Sequence, residues 1–470
     1  MTSTVRLRDT LSGETRPLEP LEAGHVRIYS CGPTVYGPTH IGNFRAFLFA
    51  DVLVRYLRYR GLRVTWVMNI TDVDDRIIAN ANRDGIPITE LTGRWLAQFK
   101  ADFDALGMTV PDVLPRATDH IPEMARIIAT LLEKGHAYRT DDGSIFFRIS
   151  SWPAYGRLAR LDPEQLQVGE RVEADDYGKD DVRDFAVWKG PKAGEPSWDT
   201  EVGPGRPGWH IECSAMSMKH LGESFDIHTG GIDLIFPHHE DEIAQSEAST
   251  GKTFVRTWLH CDHLRLGGEK MARRVGNIER VADLLAGGVS PRALRYALIA
   301  VNYRAALEYT DQSLTAAAAA VDRLDTLVAT LEAYEQATAG DPGLDELLDA
   351  ARTAFEAALD DDLNVSAALA AIFDLVRETN RRVGERRLST ADARRVLARL
   401  RELDQVLGIL PSADDELSPE AMRLLEQRQA ARAARDFEAS DRLRDELAAL
   451  GLVVEDTRDG QRWRRLESVS

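Results

Sequence analysis

Cysteine is scarce in this chain: only Cys31, Cys213 and Cys261 occur among 470 residues. Three thiols cannot build a disulfide framework, and such sparse usage suits a reducing compartment, so a cytoplasmic protein is expected. Long apolar runs are missing too. No stretch approaches the ~20 uninterrupted apolar residues of a membrane span, and Met1-Thr-Ser-Thr-Val-Arg6 has no apolar core of a secretory signal. No membrane partner is expected. Net positive charge is also lacking. The formal charge of −18 excludes a general nucleic-acid coat, because non-specific binding rests on counterion release to basic surfaces. A specific RNA contact through a local patch stays open. Residues 421–470 balance ten arginines against ten acids, so all the negative excess lies elsewhere. Every basic residue there is Arg, the side chain suited to phosphate forks and base stacking, although charge alone fits a solvated helical face equally well.

What is present is enough for a sizeable core. Hydrophobic residues make up 44 %, and the length predicts two to four domains. Val26 to Cys31 reads as a strand and Asn43 to Arg60 as a helix, with Phe47, Ala50, Val54 and Leu57 on one face and Gly61 at its end. Leu62 to Met68 reads as the next strand. Strand, helix, strand with short connections predicts a parallel βαβ unit and an α/β nucleotide-binding domain. Between about 125 and 207 the texture changes. Gly190 to Trp198 and Gly203 to Gly208 are rich in glycine and proline, and predict an insertion of irregular structure rather than core. The sheet pattern resumes at 209–260. Beyond about 290 helices take over, through an alanine-rich segment at 316–331 and a stripe of Leu369, Ile372, Phe373 and Val376. Ser412 to Glu416 is a polar break. The expected domains are 1–290, 291–410 and 411–470.

Three separated segments carry donors of the kind zinc takes. Cys31 opens Cys31-Gly-Pro-Thr-Val-Tyr-Gly-Pro-Thr-His40-Ile-Gly-Asn43, Cys213 lies in Gly208-Trp-His-Ile-Glu-Cys213, and Phe236-Pro-His-His-Glu-Asp-Glu242 adds imidazoles and a carboxylate. Either His238 or His239 suits the imidazole role, and His238 and Glu242 at i, i+4 can share a helical face. His40-Ile-Gly42-Asn43 sits where a strand hands over to a helix, so orphan N–H groups and the positive end of the dipole favour phosphate there. About 230 residues downstream, Lys270-Met-Ala-Arg-Arg274-Val-Gly-Asn277 puts three cations in five residues, a clamp for pyrophosphate.

In this order the two signatures resemble the HIGH and KMSKS motifs of class I aminoacyl-tRNA synthetases. Tyr29 to Tyr36, Asn69 to Asp75, Gly208 to Met216, Phe225 to Asp233, Phe236 to Glu242, Asp360 to Asn364 and the Glu455 to Arg465 end segment resemble the cysteine-specific branch along nearly the whole chain. The resemblance implies a Rossmann-like catalytic domain at 1–290, a helical bundle for the anticodon stem at 291–410, and a small anticodon-reading domain at 411–470. It implies a monomer that activates L-cysteine with ATP and passes it to tRNA(Cys). It further implies one Zn²⁺ held by Cys31, Cys213, His238 and Glu242, with Mg²⁺ accompanying ATP. His40, Asn43, Lys270 and Arg273 would then be catalytic. Gly42, Gly230, Gly231 and Asp233 would join them around ATP. Gly32, Thr71, Trp209 and His228 would surround the bound cysteine, and Arg462, Trp463 and Arg464 would meet tRNA. Asp72, Asp74 and Asp75 are expected to balance nearby cations rather than cage Mg²⁺. Cys261 is expected to be a core residue.

The chain departs from the family at Ala272, Arg273 and Arg274, where Ser, Lys and Ser are usual, and at Asn43, where a His is usual. A planar guanidinium does not replace an ammonium conservatively at a phosphate site. Two rival readings follow: a ligase passing cysteine to a non-tRNA amine, as cysteine:aminosugar ligases do, and a non-catalytic protein binding zinc and tRNA. The arginine-rich tail argues against the first, the intact His40 and zinc donors against the second.

Overall fold

The structure, a computed structural model, describes residues 5–160, 183–271, 276–411, 419–450, 452–457 and 460–465. The chain divides into two compact units, Met1–Ile409 and Leu410–Ser470. In the first, four parallel strands lie in the spatial order Val255–Cys261, Phe225–Gly231, His25–Ser30, Arg63–Met68. The helix between the last two runs from Ile41 to Tyr59, and Gly61, at φ +79, makes the left-handed turn that stops it. The predicted face of Phe47, Ala50, Val54 and Leu57 is buried, yet so are Phe44, Leu48, Leu53 and Tyr56. The helix is buried on most of its faces because it packs against both the sheet and the helices Pro291–Ile299 and Thr390–Leu407.

Strand order reverses between His25–Ser30 and Phe225–Gly231. The chain moves one way from the first of these to Arg63–Met68, and the other way from the second to Val255–Cys261. Such a reversal opens a crevice at the carboxyl ends of the strands, where ligands bind in sheets of this kind. Cys31 follows one of the two strands and Gly230 and Gly231 end the other.

The insertion corrects the expectation of irregular structure. Ala137–Arg139, Ile145–Phe147, Phe185–Lys189 and Arg206–Pro207 pair as a four-stranded antiparallel sheet. Its Ile145, Phe146, Phe147, Val187 and Trp188 are fully buried, and most of them pack in the same apolar cluster as Ile211, Cys213 and Trp258 of the sheet region. Glycine and proline misled the sequence reading because most of them sit in the connections, while Ile145–Phe147 and Phe185–Lys189 are short, largely apolar runs without alternation. The glycines have a packing role: a Cβ at Gly208 would lie 1.9 Å from the Ala186 backbone oxygen.

Long helices follow at Asp311–Glu332, Leu344–Asp360, Val365–Gly384 and Thr390–Leu407. Leu369, Ile372 and Val376 are buried as their spacing predicts, and Phe373 is partly so. A buried ion pair ties this region to the sheet domain. Arg295 donates to Asp51 at 2.6 Å and also to the Leu407, Leu106 and Gly107 carbonyls. In the second unit, helices Pro419–Ala433 and Phe437–Ala449 and the hairpin Leu452–Thr457, Gly460–Arg465 share a core of Leu424, Leu425, Leu443, Leu447, Leu452 and Val454. The predicted break at 412–416 lies outside the described residues. Among the described residues no helix is long and apolar enough to cross a membrane.

Candidate active site

At the mouth of the crevice five donors converge, all of them buried. One potential ligand atom from each of Cys31, His238, His239 and Glu242 lies within 4.8 Å of all the others. Cys213 Sγ stands 4.0 Å from Cys31 Sγ and bonds His238. His238 Nε2 is 3.1 Å from Glu242 Oε1, while His239 Nε2 is 3.3 Å from Cys31 Sγ. Cys31 arrives on the strand end, Cys213 on the helix Trp209–Leu221, and Glu242 on the helix Glu240–Thr250, with both histidines in the kinked segment just before it. Behind the donors, His210 Nδ1 meets His238 Nδ1 at 2.9 Å, and His260 Nε2 meets His239 Nδ1 at 2.8 Å. The sequence reading missed His210 and His260. Their sole signal was position, one in the Cys213 segment and the other beside Cys261.

The cluster is short of positive charge. Burial, then Cys213 and Glu242, pushes the Cys31 thiol well above its ordinary range. The His238 pKa rises as well: burial disfavours its cation, but the Cys213 sulfur and Glu242 carboxylate outweigh that and hold it well up. Glu242 is likewise held down, against its burial, by His228 and His238. Two sulfurs and a carboxylate in one dry volume cannot all ionise unless a cation joins them. Thiolates, imidazole and carboxylate are also the donors zinc takes. The residues present fit that ion.

From the strand end that carries Cys31 the chain runs on to the turn His40–Asn43. His40 caps the helix Ile41–Tyr59 at its N-terminus, and its backbone N–H donates to Asn43 Oδ1 at 3.4 Å. The His40 ring folds over Gly42, so a Cβ there would meet the ring at 3.0 Å. Met271 Cβ would be 3.7 Å from that same position, so the two signatures meet although the chain separates them widely. Ile41 N–H donates to the Glu279 carbonyl, and Asn277 to the Lys270 carbonyl. Lys270 Nζ donates to Asp233 Oδ2 at 3.1 Å. Burial opposes ionisation of Asp233, but the Lys270 ammonium prevails and lowers its pKa. Both side chains are roughly half exposed, so the pair is worth about 0–1 kcal/mol and opens easily. A Cβ at Gly230 would strike His239, and one at Gly231 would strike Asp233, at 2.7 and 2.6 Å. Arg273, with Ala272 and Arg274, lies outside the described residues.

The four residues expected around cysteine divide. Trp209 is 37 % exposed and stacks on His238 with centroids 4.2 Å apart, so it is wall rather than core. Thr71 is buried; its hydroxyl accepts from Asn69 and also bonds the buried Glu212, which the sequence reading overlooked. His228 is fully buried, between Tyr29 and Trp258, with Nε2 3.1 Å from Glu242 Oε2. Gly32 donates its N–H to Asn69 Oδ1, and a Cβ on it would lie 1.8 Å from the Asn69 backbone oxygen. Gly32→Ala is therefore expected to displace the strand end that carries Cys31, costing about 1–3 kcal/mol as an overpacking change. A lowered melting temperature together with lost metal would bear this out. A wild-type melting curve would refute it.

Elsewhere the aspartates do balance cations or cap backbone. Asp75 accepts from Lys189 and Arg206 at 2.6 and 2.5 Å, Asp74 caps the helix Asp75–Asp84, and Asp72 accepts from Thr118. Cys261 is a core residue whose burial pushes its thiol up to about 11. Arg462, Trp463 and Arg464 lie in the last strand, where Trp463 pairs in register with Val454.

Comparison with known proteins agrees with this geometry. Residues 17–319 match the class I (C) tRNA synthetase catalytic domain, residues 354–411 the DALR domain, and residues 414–464 the cysteinyl-tRNA ligase anticodon binding domain. The cysteine–tRNA ligase of Symbiobacterium thermophilum is 47 % identical, covering 98 % of this chain and 99 % of the relative. The corresponding enzyme of Koribacter versatilis is 43 % identical over the same shares. Among solved structures, Mycobacterium tuberculosis methionyl-tRNA synthetase with methionyl-adenylate superposes with a TM-score of 0.58 at 17 % identity, covering 88 % of this chain and 96 % of that one. A crevice at the strand reversal, the His40 and Lys270 segments meeting at Gly42 and full-length relatives of one kind lead to one placement: the chain belongs to the cysteine–tRNA ligases, enzymes of the class I aminoacyl-tRNA synthetase family.

Proposed function

We propose that the chain couples L-cysteine to ATP as cysteinyl-adenylate and passes the cysteinyl group to the 3′ end of tRNA(Cys), working as a cytoplasmic monomer. The observation that carries this reading is the buried donor cluster at the strand end from which the chain runs on to the His40–Asn43 turn. One zinc ion would be held by Cys31, Cys213, His238 and Glu242. His238 is preferred over His239 because it bonds both Cys213 and Glu242, whereas His239 bonds Cys31 alone of the proposed ligands and stands 3.9 Å from Glu242. When bound, the ion supplies a soft Lewis acid that accepts a substrate thiolate and has little use for a serine hydroxyl.

The remaining residues position and neutralise. Gly32, Thr71, Trp209 and His228 frame the amino acid, Trp209 as an aromatic wall and His228 by orienting Glu242 from behind. Gly42, Gly230 and Gly231 let the nucleotide approach the backbone, and Asp233 accepts from its ribose hydroxyls once Lys270 has swung to the phosphates. The cysteine carboxylate attacks the α-phosphate and pyrophosphate departs, with its Mg²⁺. His40, Asn43, Lys270 and Arg273 stabilise the developing charge by donors fixed in advance. The terminal tRNA hydroxyl then displaces AMP. Residues 291–410 would support the anticodon stem and 411–470 read the anticodon, with Arg462, Trp463 and Arg464 offering a stacking and phosphate surface.

The test is cysteine-dependent exchange of pyrophosphate into ATP, followed by charging of tRNA(Cys). Exchange with cysteine and none with serine, followed by charging, is the expected outcome. Bound zinc without exchange would sink the catalytic reading and point to Ala272, Arg273 and Arg274 as the cause.

A further inference from the structure

We propose that His120 and His220 form a second metal site that takes a first-row transition ion such as Zn²⁺, Ni²⁺ or Cu²⁺. Their Nε2 atoms face each other at 3.0 Å. His120 Nδ1 lies 2.7 Å from the Arg116 carbonyl oxygen. A carbonyl can only accept, so that nitrogen carries a proton and Nε2 is the nitrogen turned toward His220. Metal-binding histidines are held in this way, the far nitrogen fixed by a carbonyl or carboxylate. Two imidazole nitrogens on one tetrahedral ion, each at about 2.0–2.1 Å, stand about 3.3–3.4 Å apart. The rings need part by only a few tenths of an ångström to reach that separation.

The supports are well anchored. His120 ends a short 3₁₀ turn and is 8 % exposed, directly ahead of the helix Ile121–Glu133. His220 is partly buried in the last turn of the helix Trp209–Leu221, seven residues and about 10 Å of helix beyond Cys213. An ion there would pin the helix that carries Trp209 and Cys213 to the first helix of the insertion region. The flanking charge is net positive, so imidazole ligation and not a carboxylate must hold the ion. Lys219, beside His220, has its ammonium 3.1 Å from Glu123 Oε1, which also accepts from Arg126 at 2.7 Å. Burial, then His120 and Lys219, lower the His220 pKa, which favours the neutral form that ligates. Among the described residues the only close group of three or more potential donors is the Cys31 cluster. The histidine pair, completed by solvent, is therefore the weaker of the two sites, and imidazole ligation selects zinc, nickel or copper over magnesium.

The experiment titrates full-length, zinc-loaded protein with further Zn²⁺ by equilibrium dialysis, alongside His120→Gln and His220→Gln. Wild type should bind one more equivalent than either variant, or bind it at least about tenfold more tightly. Cysteine-dependent exchange should be unchanged in both variants. Equal stoichiometry and affinity in all three proteins would reduce the pair to a hydrogen bond and overturn the proposal. Should a variant fail to fold, crystals of wild type soaked in Zn²⁺ decide: an anomalous peak between the two Nε2 atoms supports the site, and its absence refutes it.

Discussion

Cys213→Ala is expected to release the metal and to cut cysteine-dependent exchange by more than the roughly 10–100-fold that loss of an outer-shell partner costs. The argument begins with burial. Cys213 is 2 % exposed, 4.0 Å from Cys31, and bonded to His238. Alanine removes a donor and leaves His238 and Glu242 facing a dry void. The loss should fall on use of cysteine rather than on ATP binding, because His40 and Lys270 stand on other elements. Metal analysis beside exchange kinetics separates the outcomes. Retained metal and near-normal exchange would mean that Cys31, His238, His239 and Glu242 hold the ion alone, and the proposed ligand set would be wrong. Removing zinc from the wild type with a chelator should reproduce the loss, and returning zinc should restore it.

Arg295→Ala is expected to destabilise the Met1–Ile409 unit by about 3–5 kcal/mol, the cost of breaking a buried pair from one side. Arg295 and Asp51 are 1 % and 0 % exposed in their side chains. The change strands the Asp51 carboxylate and removes donors from the Leu106 and Leu407 carbonyls. Arg55 and the Thr109 N–H remain as partial compensation, so the lower end of the range is the firmer expectation. The pair also has a pH signature. Burial would raise the Asp51 pKa, but Arg295, Arg55 and the Thr109 N–H hold it below its ordinary value. A carboxyl depressed on folding contributes stability that is present above its unfolded pKa and lost as pH falls through the folded one. Wild type should therefore lose stability below about pH 4, and Arg295→Ala should show a shallower loss there. Denaturant titrations at neutral and acid pH read both effects. A variant within 1 kcal/mol of wild type, with the same acid profile, would show that the pair contributes nothing net, as some buried ion pairs do.

Much of the active site was legible because its chemistry is local in sequence. The turn from Cys31 to Asn43 puts a thiol, an imidazole and a glycine within one strand-to-helix handover, and 3.6-residue periodicity located the helices flanking it. The i, i+4 spacing of His238 and Glu242 anticipated their contact, now 3.1 Å. Periodicity failed where a segment is buried on more than one side. The helix Ile41–Tyr59 reads as amphipathic but is buried on most of its faces, and the insertion reads as loops yet carries a buried antiparallel sheet. Neither error was correctable from spacing, since burial on several faces depends on what the rest of the chain brings.

The sequence by itself determined the residue types: which donors the chain owns, and that their softness suits zinc. It also carried the family resemblance from end to end. Only the tertiary structure decided which of those donors meet. His238 and His239 are adjacent in the chain and chemically identical, and their difference lies in what each ring touches, Cys213 and Glu242 for one, Cys31 and His260 for the other. Lys270 and Asp233, expected to serve separate parts of ATP, are paired with each other in this structure. His120 and His220, a hundred residues apart, face each other because two helices pack. The physical reason is common to all three. Ligation and ion pairing are fixed to within a few tenths of an ångström by the packing of distant elements, and composition, periodicity and motif spacing carry no information at that scale.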